Sequence, residues 1–232
     1  MFQEVIVAER SVQVNAGGPE TVILMTMIGH FTITELLTYI AVILISLTIH
    51  EFMHAYSGYL LGDTTAKAEG RISLNPLQHI DPLMTVALPI ITLIIFGAPI
   101  LAAKPVPFDP RNLKYDEFGA AILAAAGPLS NLVLAVVGAL LFKITASGSF
   151  IAHALVLFIA VNVSLFIFNL IPIPPLDGSR VLYAFAPESL QRLMIQIEPF
   201  GLFIVFFLVL GSGGVFTHFL VGANDFILNH LP

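Results

Sequence analysis

Apolar runs of bilayer-spanning length recur along this chain, at residues 33–61, 119–142 and 150–171. Shorter or interrupted runs follow the same habit at 83–101 and 199–221. About 20 apolar residues cross the hydrocarbon core as a helix, and a spanning backbone must satisfy its own hydrogen bonds. The runs are continuous rather than alternating, which argues against a barrel. The fold expected is therefore an all-α polytopic membrane protein, a bundle of about 4–6 transmembrane helices. Composition agrees: 57% of residues are hydrophobic and 10% charged, against about 25% charged in a soluble domain.

Cysteine is absent. That excludes disulfides and thiolate metal sites, and leaves His, Asp, Glu or carbonyl oxygen for any ion. A net charge of −6 offers no basic footprint for nucleic acid. Residues 1–9 contain no Lys or Arg, so the charged start of a secretory signal is missing and insertion through the chain's own spans is expected. The expected setting is a multi-pass protein of the cell membrane. Its divisions are a 1–32 interfacial segment, a 33–222 membrane domain and a 223–232 tail. No internal repeat is visible.

Orientation follows from the basic residues, which favour the cytoplasmic face. Lys67 and Arg71 follow the first run, placing the 62–82 loop inside. If 83–101 crossed, Lys104, Arg111 and Lys114 would lie outside. A re-entrant 83–101, bent near Pro89 and Pro99, keeps them all inside. It also keeps the proline-rich break at 172–178 on the side where the first span ends.

Within that first span stands His50-Glu51-Phe52-Met53-His54, an HExxH pentad. On a helix the two histidines are one turn apart on one face, a spacing that grips one zinc ion, with Glu51 beside it as general base. Ionisable residues inside a membrane are costly and mark function. The bland reading makes both histidines hydrogen-bonding polar residues, but it leaves Glu51 without a role. A catalytic zinc needs a third protein ligand and an open position. Asp177 is the candidate, in Asn169-Leu-Ile-Pro-Ile-Pro-Pro-Leu-Asp-Gly178. Prolines there rule out a regular helix, and unwound backbone at membrane depth must be buried or line a wet cavity. The alternative is that Asp177 only caps the helix that follows.

HExxH in a membrane helix with a downstream PxPPLDG resembles the site-2 protease family of intramembrane zinc metalloproteases. Gly127-Pro128-Leu129-Ser130-Asn131 is similar to that family's GPxxN, the 70–82 loop (GRISLNPLQHIDP) to a loop of its compact members, and Lys104-Pro105-Val106-Pro107 to their KPVP. The resemblance covers about 33–178 and implies one zinc ion on His50, His54 and Asp177, with Glu51 as catalytic base. It also implies cleavage of transmembrane segments of other proteins; the basic loops put the expected active site toward the cytoplasmic side. The chain departs at Met84, where the family often has Gly, and at Ala102-Ala103 before KPVP, and it lacks PDZ and CBS modules.

Asn131 is a candidate to hold the substrate carbonyl or oxyanion; a helix-packing role for Gly127 and Asn131 is the equal alternative. Asn162 and Asn169 are expected to bond across helices. Residues 66–74 could form an edge strand that holds an unwound substrate, the minor β structure expected near the membrane surface. His79 is read as a loop residue, and His30, His153, His218 and His230 as packing or interfacial. Arg180 and Arg192 are read as inner-leaflet anchors. A metal transporter is the rival reading, though inverted repeats are lacking; a silent membrane scaffold is the third.

Overall fold

The structure is a computed structural model that describes residues 32–81, 85, 87, 104–211 and 214–231. Its helices are α1 (Ile33–Leu60), α2 (Thr65–Ala68), α3 (Asp116–Lys143), α4 (Phe150–Asn169), α5 (Asp177–Phe185), α6 (Glu188–Ile197), α7 (Gly201–Gly211) and α8 (Val215–His230). Among the described residues four stretches are long and apolar enough to cross a membrane: Ile33–Leu60, Asp116–Lys143, Phe150–Asn169 and Glu188–Leu208. The protein is thus a polytopic helical membrane protein.

The chain divides into two compact units, Met1–Val42 with Ile80–Lys104, and Ile43–His79 with Pro105–Pro232. In the first, Thr32 starts α1 with a capping box. Its hydroxyl accepts from Glu35 N–H (3.2 Å), and Glu35 Oε2 accepts from Thr32 N–H (2.8 Å). That pairing satisfies two of the donors every helix start leaves over. Residues 1–31 and most of 83–101 lie outside the described residues, so the interfacial segment, His30 and the re-entrant run do too.

The second unit holds everything that follows. Helix α1 ends in a Schellman turn: Asp63 N–H donates to Gly58 O (3.0 Å) and Gly62 N–H to Tyr59 O (3.1 Å). Gly62 sits at φ +108°, where a side chain would be strained. Buried Asp63 then ties this end to a distant one. Its carboxylate accepts from Thr65 N–H (3.0 Å), the Thr65 hydroxyl (2.6 Å) and Asp109 N–H (2.9 Å). Lys114 N–H also donates to Leu61 O (2.8 Å). Burial alone would raise the Asp63 carboxyl, but these donors outweigh it and hold the pKa below the ordinary value. The end of α1 and the stretch that leads into α3 are therefore joined.

Among the described residues there is no strand, which corrects the expected edge at 66–74. Thr65 is drawn into a helical turn by Asp63, the Ala-Lys-Ala run continues it, and Gly70 at φ +69° breaks it. The loop beyond is held by side chains. Arg71, itself buried, donates to Gln78 O (2.8 Å) and Pro105 O (3.4 Å). Asn75 caps a 3-10 turn at Pro76–Gln78.

Helices α3 and α4 form a hairpin, with Ser149 capping the second through Ala152 N–H (3.2 Å). A Cβ on Gly138 would stand 2.9 Å from Ile159 Cγ1, so this small residue lets the two backbones approach. Helix α5 packs on α3 as well. The 199–221 run resolves into α7 and α8, the latter entered through Gly214 at φ +89°. Helix α8 runs on to His230.

Candidate metal centre

Helix geometry brings the pentad together as the spacing implies. His50, Glu51 and His54 are all buried in the second half of α1. The two Nε2 atoms face each other at 2.9 Å, with the rings edge to face. Asp177 closes the group: its Oδ2 lies 3.1 Å from His50 Nε2 and 3.3 Å from His54 Nε2. Ligands at about 2.0–2.1 Å from a tetrahedral zinc stand about 3.3 Å apart. The triangle of 2.9, 3.1 and 3.3 Å is close to one face of such a tetrahedron. Two neutral imidazoles and a carboxylate are also a donor set zinc favours. These residues fit one ion and leave a fourth position open.

Asp177 reaches the histidines because the chain is unwound just before it. Residues 170–176 carry three prolines and a cis Pro174–Pro175 bond, and α5 begins at Asp177 itself, with Leu176 as N-cap. The helix-capping alternative therefore fails: the carboxylate faces the imidazoles. Gly178 serves close approach. A Cβ there would stand 2.7 Å from Ile171 O and overlap Leu170 O, so only glycine lets α5 start across the end of α4.

Each imidazole is also held from behind. His54 Nδ1 donates to Leu123 O of α3 (2.8 Å), a backbone carbonyl. His50 Nδ1 lies 2.6 Å from Asn131 Oδ1. Such partners fix ring orientation and leave Nε2 for an ion. Gly127 completes the cradle. A Cβ on it would stand 2.7 Å from His50 Nε2, 2.5 Å from His54 Cε1 and closer still to His54 Nε2. The glycine of Gly127-Pro128-Leu129-Ser130-Asn131 thus keeps open the space in which an ion would lie.

Asn131 lies at the centre, on the far side of His50 from its Nε2. It is fully buried behind His50, and its amide is spent: Oδ1 on His50, Nδ2 on Ser46 O (3.3 Å) and Asn162 Oδ1 (2.9 Å). Asn162 bonds across helices as expected, reaching Ser46 Oγ (2.9 Å). Asn169 donates instead to Leu165 O of its own helix (3.0 Å), with no cross-helix bond among the described residues. Ser46 escaped the sequence reading; a serine in an apolar helix gives only a weak signal.

The remaining residues lie apart from the centre. His79 bonds Ser73 O in its loop (2.8 Å). His153 and His230 bond carbonyls four residues back along the chain. Arg180 stacks over Phe108 (4.8 Å) and pairs with Glu198 (3.4 Å); Arg192 pairs with Glu188 (3.5 Å).

The profile of "Peptidase family M50" matches residues 142–212, the stretch containing Asp177. YwhC of Bacillus subtilis, which carries the name of a zinc metalloprotease, is 37% identical over 182 residues, covering 74% of this chain and 80% of YwhC. Rip2 proteins of Mycolicibacterium smegmatis and Mycobacterium tuberculosis, named likewise, are 31% and 30% identical over 172 residues. Those matches cover 72% of this chain and 64% and 63% of the relatives, so the chain spans somewhat less than two thirds of the Rip2 length. No solved structure matches the chain.

Proposed function

The chain belongs to peptidase family M50, the site-2 proteases, and from that premise we propose an intramembrane zinc metalloprotease built on His50, Glu51, His54 and Asp177. The observation that carries the reading is the convergence of His50, His54 and Asp177, from two separated segments, on one point inside a membrane helix bundle. We take these three as the zinc ligands and 33–222 as the domain that carries the chemistry. When bound there, zinc polarises a carbonyl and lowers the pKa of water to about 7.

The chain's own residues supply the rest. Glu51, buried beside both ligands, takes a proton from water and hands it to the departing amine. Asn131 and Leu123 O keep the imidazoles aligned from behind. Gly127 leaves room above them. His54 stands six residues before the end of α1, about 9 Å at about 1.5 Å per residue, a depth water can reach.

The substrates are transmembrane segments of other proteins in the same bilayer. A membrane helix hides its peptide bonds in its own hydrogen bonds, so the segment must unwind before attack. The site faces the cytoplasm: Lys67, Arg71, Arg111 and Lys114 belong to the two loops that Asp63 and Leu61 join, and basic loops favour that side. The membrane is the cell membrane. No observation favours transport.

Wild type and Glu51→Gln expressed beside a panel of single-span membrane proteins test this reading. Intramembrane cleavage by the wild type alone, abolished by a zinc chelator, is expected. Equal cleavage by both would remove Glu51 from the mechanism.

A further inference from the structure

His50 and His54 receive their supporting bonds by different routes. For His54 the partner is a backbone carbonyl, which can only accept, so Nδ1 must carry the hydrogen. For His50 the partner is a side-chain amide, which could present oxygen or NH2. What turns Asn131 the right way is a chain of contacts between α1, α3 and α4, whose members Ser46, Asn131 and Asn162 are all 0% exposed.

The chain begins at a fixed acceptor. Phe158 O lies 2.8 Å from Asn162 Nδ2, so the NH2 end of Asn162 faces its own helix, with Ser46 Oγ 2.9 Å from the same nitrogen. Asn162 Oδ1 then faces Asn131 Nδ2 at 2.9 Å. A second fixed acceptor, Ser46 O, lies 3.3 Å from that nitrogen. Two acceptors therefore hold the NH2 end of Asn131, and only Oδ1 remains for His50, at 2.6 Å. An oxygen at that position admits only an N–H on Nδ1, which leaves the lone pair on Nε2. A reversed Asn131 would place NH2 against Nδ1 and move the hydrogen to Nε2, the atom that faces Asp177.

We propose that Asn162 and Ser46 are positioning residues for the metal centre, setting the tautomer of His50 through Asn131. The proposal rests on the metal-site reading above and adds a layer that neither the pentad nor Asp177 contains. Buried polar groups in a membrane interior need partners, and the two amide NH2 groups of this relay end on carbonyls, Phe158 O and Ser46 O.

The test uses the full chain in detergent, with 15N-labelled histidine and the zinc removed. The wild-type His50 signal, assigned by its loss in His50→Gln, should show hydrogen on Nδ1. Asn162→Leu, similar in size but without an acceptor for Asn131, should give mixed tautomers at His50 and weaken zinc binding about 10–100-fold in chelator competition. Asn162→Asp, neutral when buried and able to donate to Phe158 O, should keep both properties. Hydrogen on Nε2 in the wild type, or unchanged tautomer and affinity in Asn162→Leu, would overturn the relay. If Asn162→Leu does not fold, the wild-type spectrum decides alone. A wild type with hydrogen on Nδ1 that binds no zinc would instead overturn the metal-site reading and leave the relay standing.

Discussion

His50 and His54 sit one turn apart on the same helix, yet they depend on the rest of the molecule in opposite ways. His54 leans on Leu123 O, a group no side-chain substitution removes. His50 leans on Asn131, and through it on Asn162 and Ser46, all side chains or held by them. One histidine is secured by helix placement, the other by composition. The two halves of the centre should therefore fail differently when the chain is altered.

The largest effect should erase the difference. Asp177→Ala removes the carboxylate that faces both Nε2 atoms, and zinc per chain, measured by mass spectrometry of the purified protein, should fall near zero. That loss should exceed the about 10–100-fold weakening that follows removal of a supporting partner. Gly127→Ala comes next. Its new methyl would enter the space beside both imidazoles, crowding His54 more than His50. Zinc content should drop while circular dichroism keeps its helical signal.

Asn131→Leu against Leu123→Ala sharpens the comparison most directly. The first should weaken zinc binding about 10–100-fold. The second trims a buried side chain but leaves the carbonyl in place, so it should lower melting temperature with little change in zinc affinity. Reversed outcomes would mean that the carbonyl is not what holds His54.

The smallest effect lies outside the centre. Asp63 joins the end of α1 to the start of α3 without touching either histidine. Asp63→Asn should cost about 1 kcal/mol and speed amide exchange at Thr65 and Asp109, leaving zinc content unchanged. Because its pKa is depressed in the folded chain, the contribution of Asp63 is complete above about pH 4 and fades as pH falls through the lower folded value. In the Asp63→Asn variant that acid-dependent rise in exchange, corrected for intrinsic rates, should be missing.

What was legible in the sequence was local or compositional. The spans follow from run length, the paired histidines from a spacing of four, and Asp177 from a carboxylate in a segment that prolines keep unwound. What was hidden depended on which faces meet. Asn131 was placed at the site, but spacing alone could not show that its amide backs His50 rather than facing substrate. Ser46 and Asn162 lie 116 residues apart and meet only because α1 and α4 pack around the same point. The reason for Gly178 is the carbonyl of Leu170 pressed against it, a contact that spacing does not reveal. The 66–74 stretch was expected as an edge strand, but Asp63 captured Thr65 for a helical turn and side-chain bonds took the rest of the loop.

Zinc-edge X-ray absorption on the wild type and on Asp177→Ala tests the central claim most directly. The account predicts one zinc per wild-type chain, with two imidazole nitrogens and carboxylate oxygen at about 2.0–2.2 Å, and no such site in the variant. Zinc bound with the same spectrum in both proteins would show that His50, His54 and Asp177 do not hold the ion together.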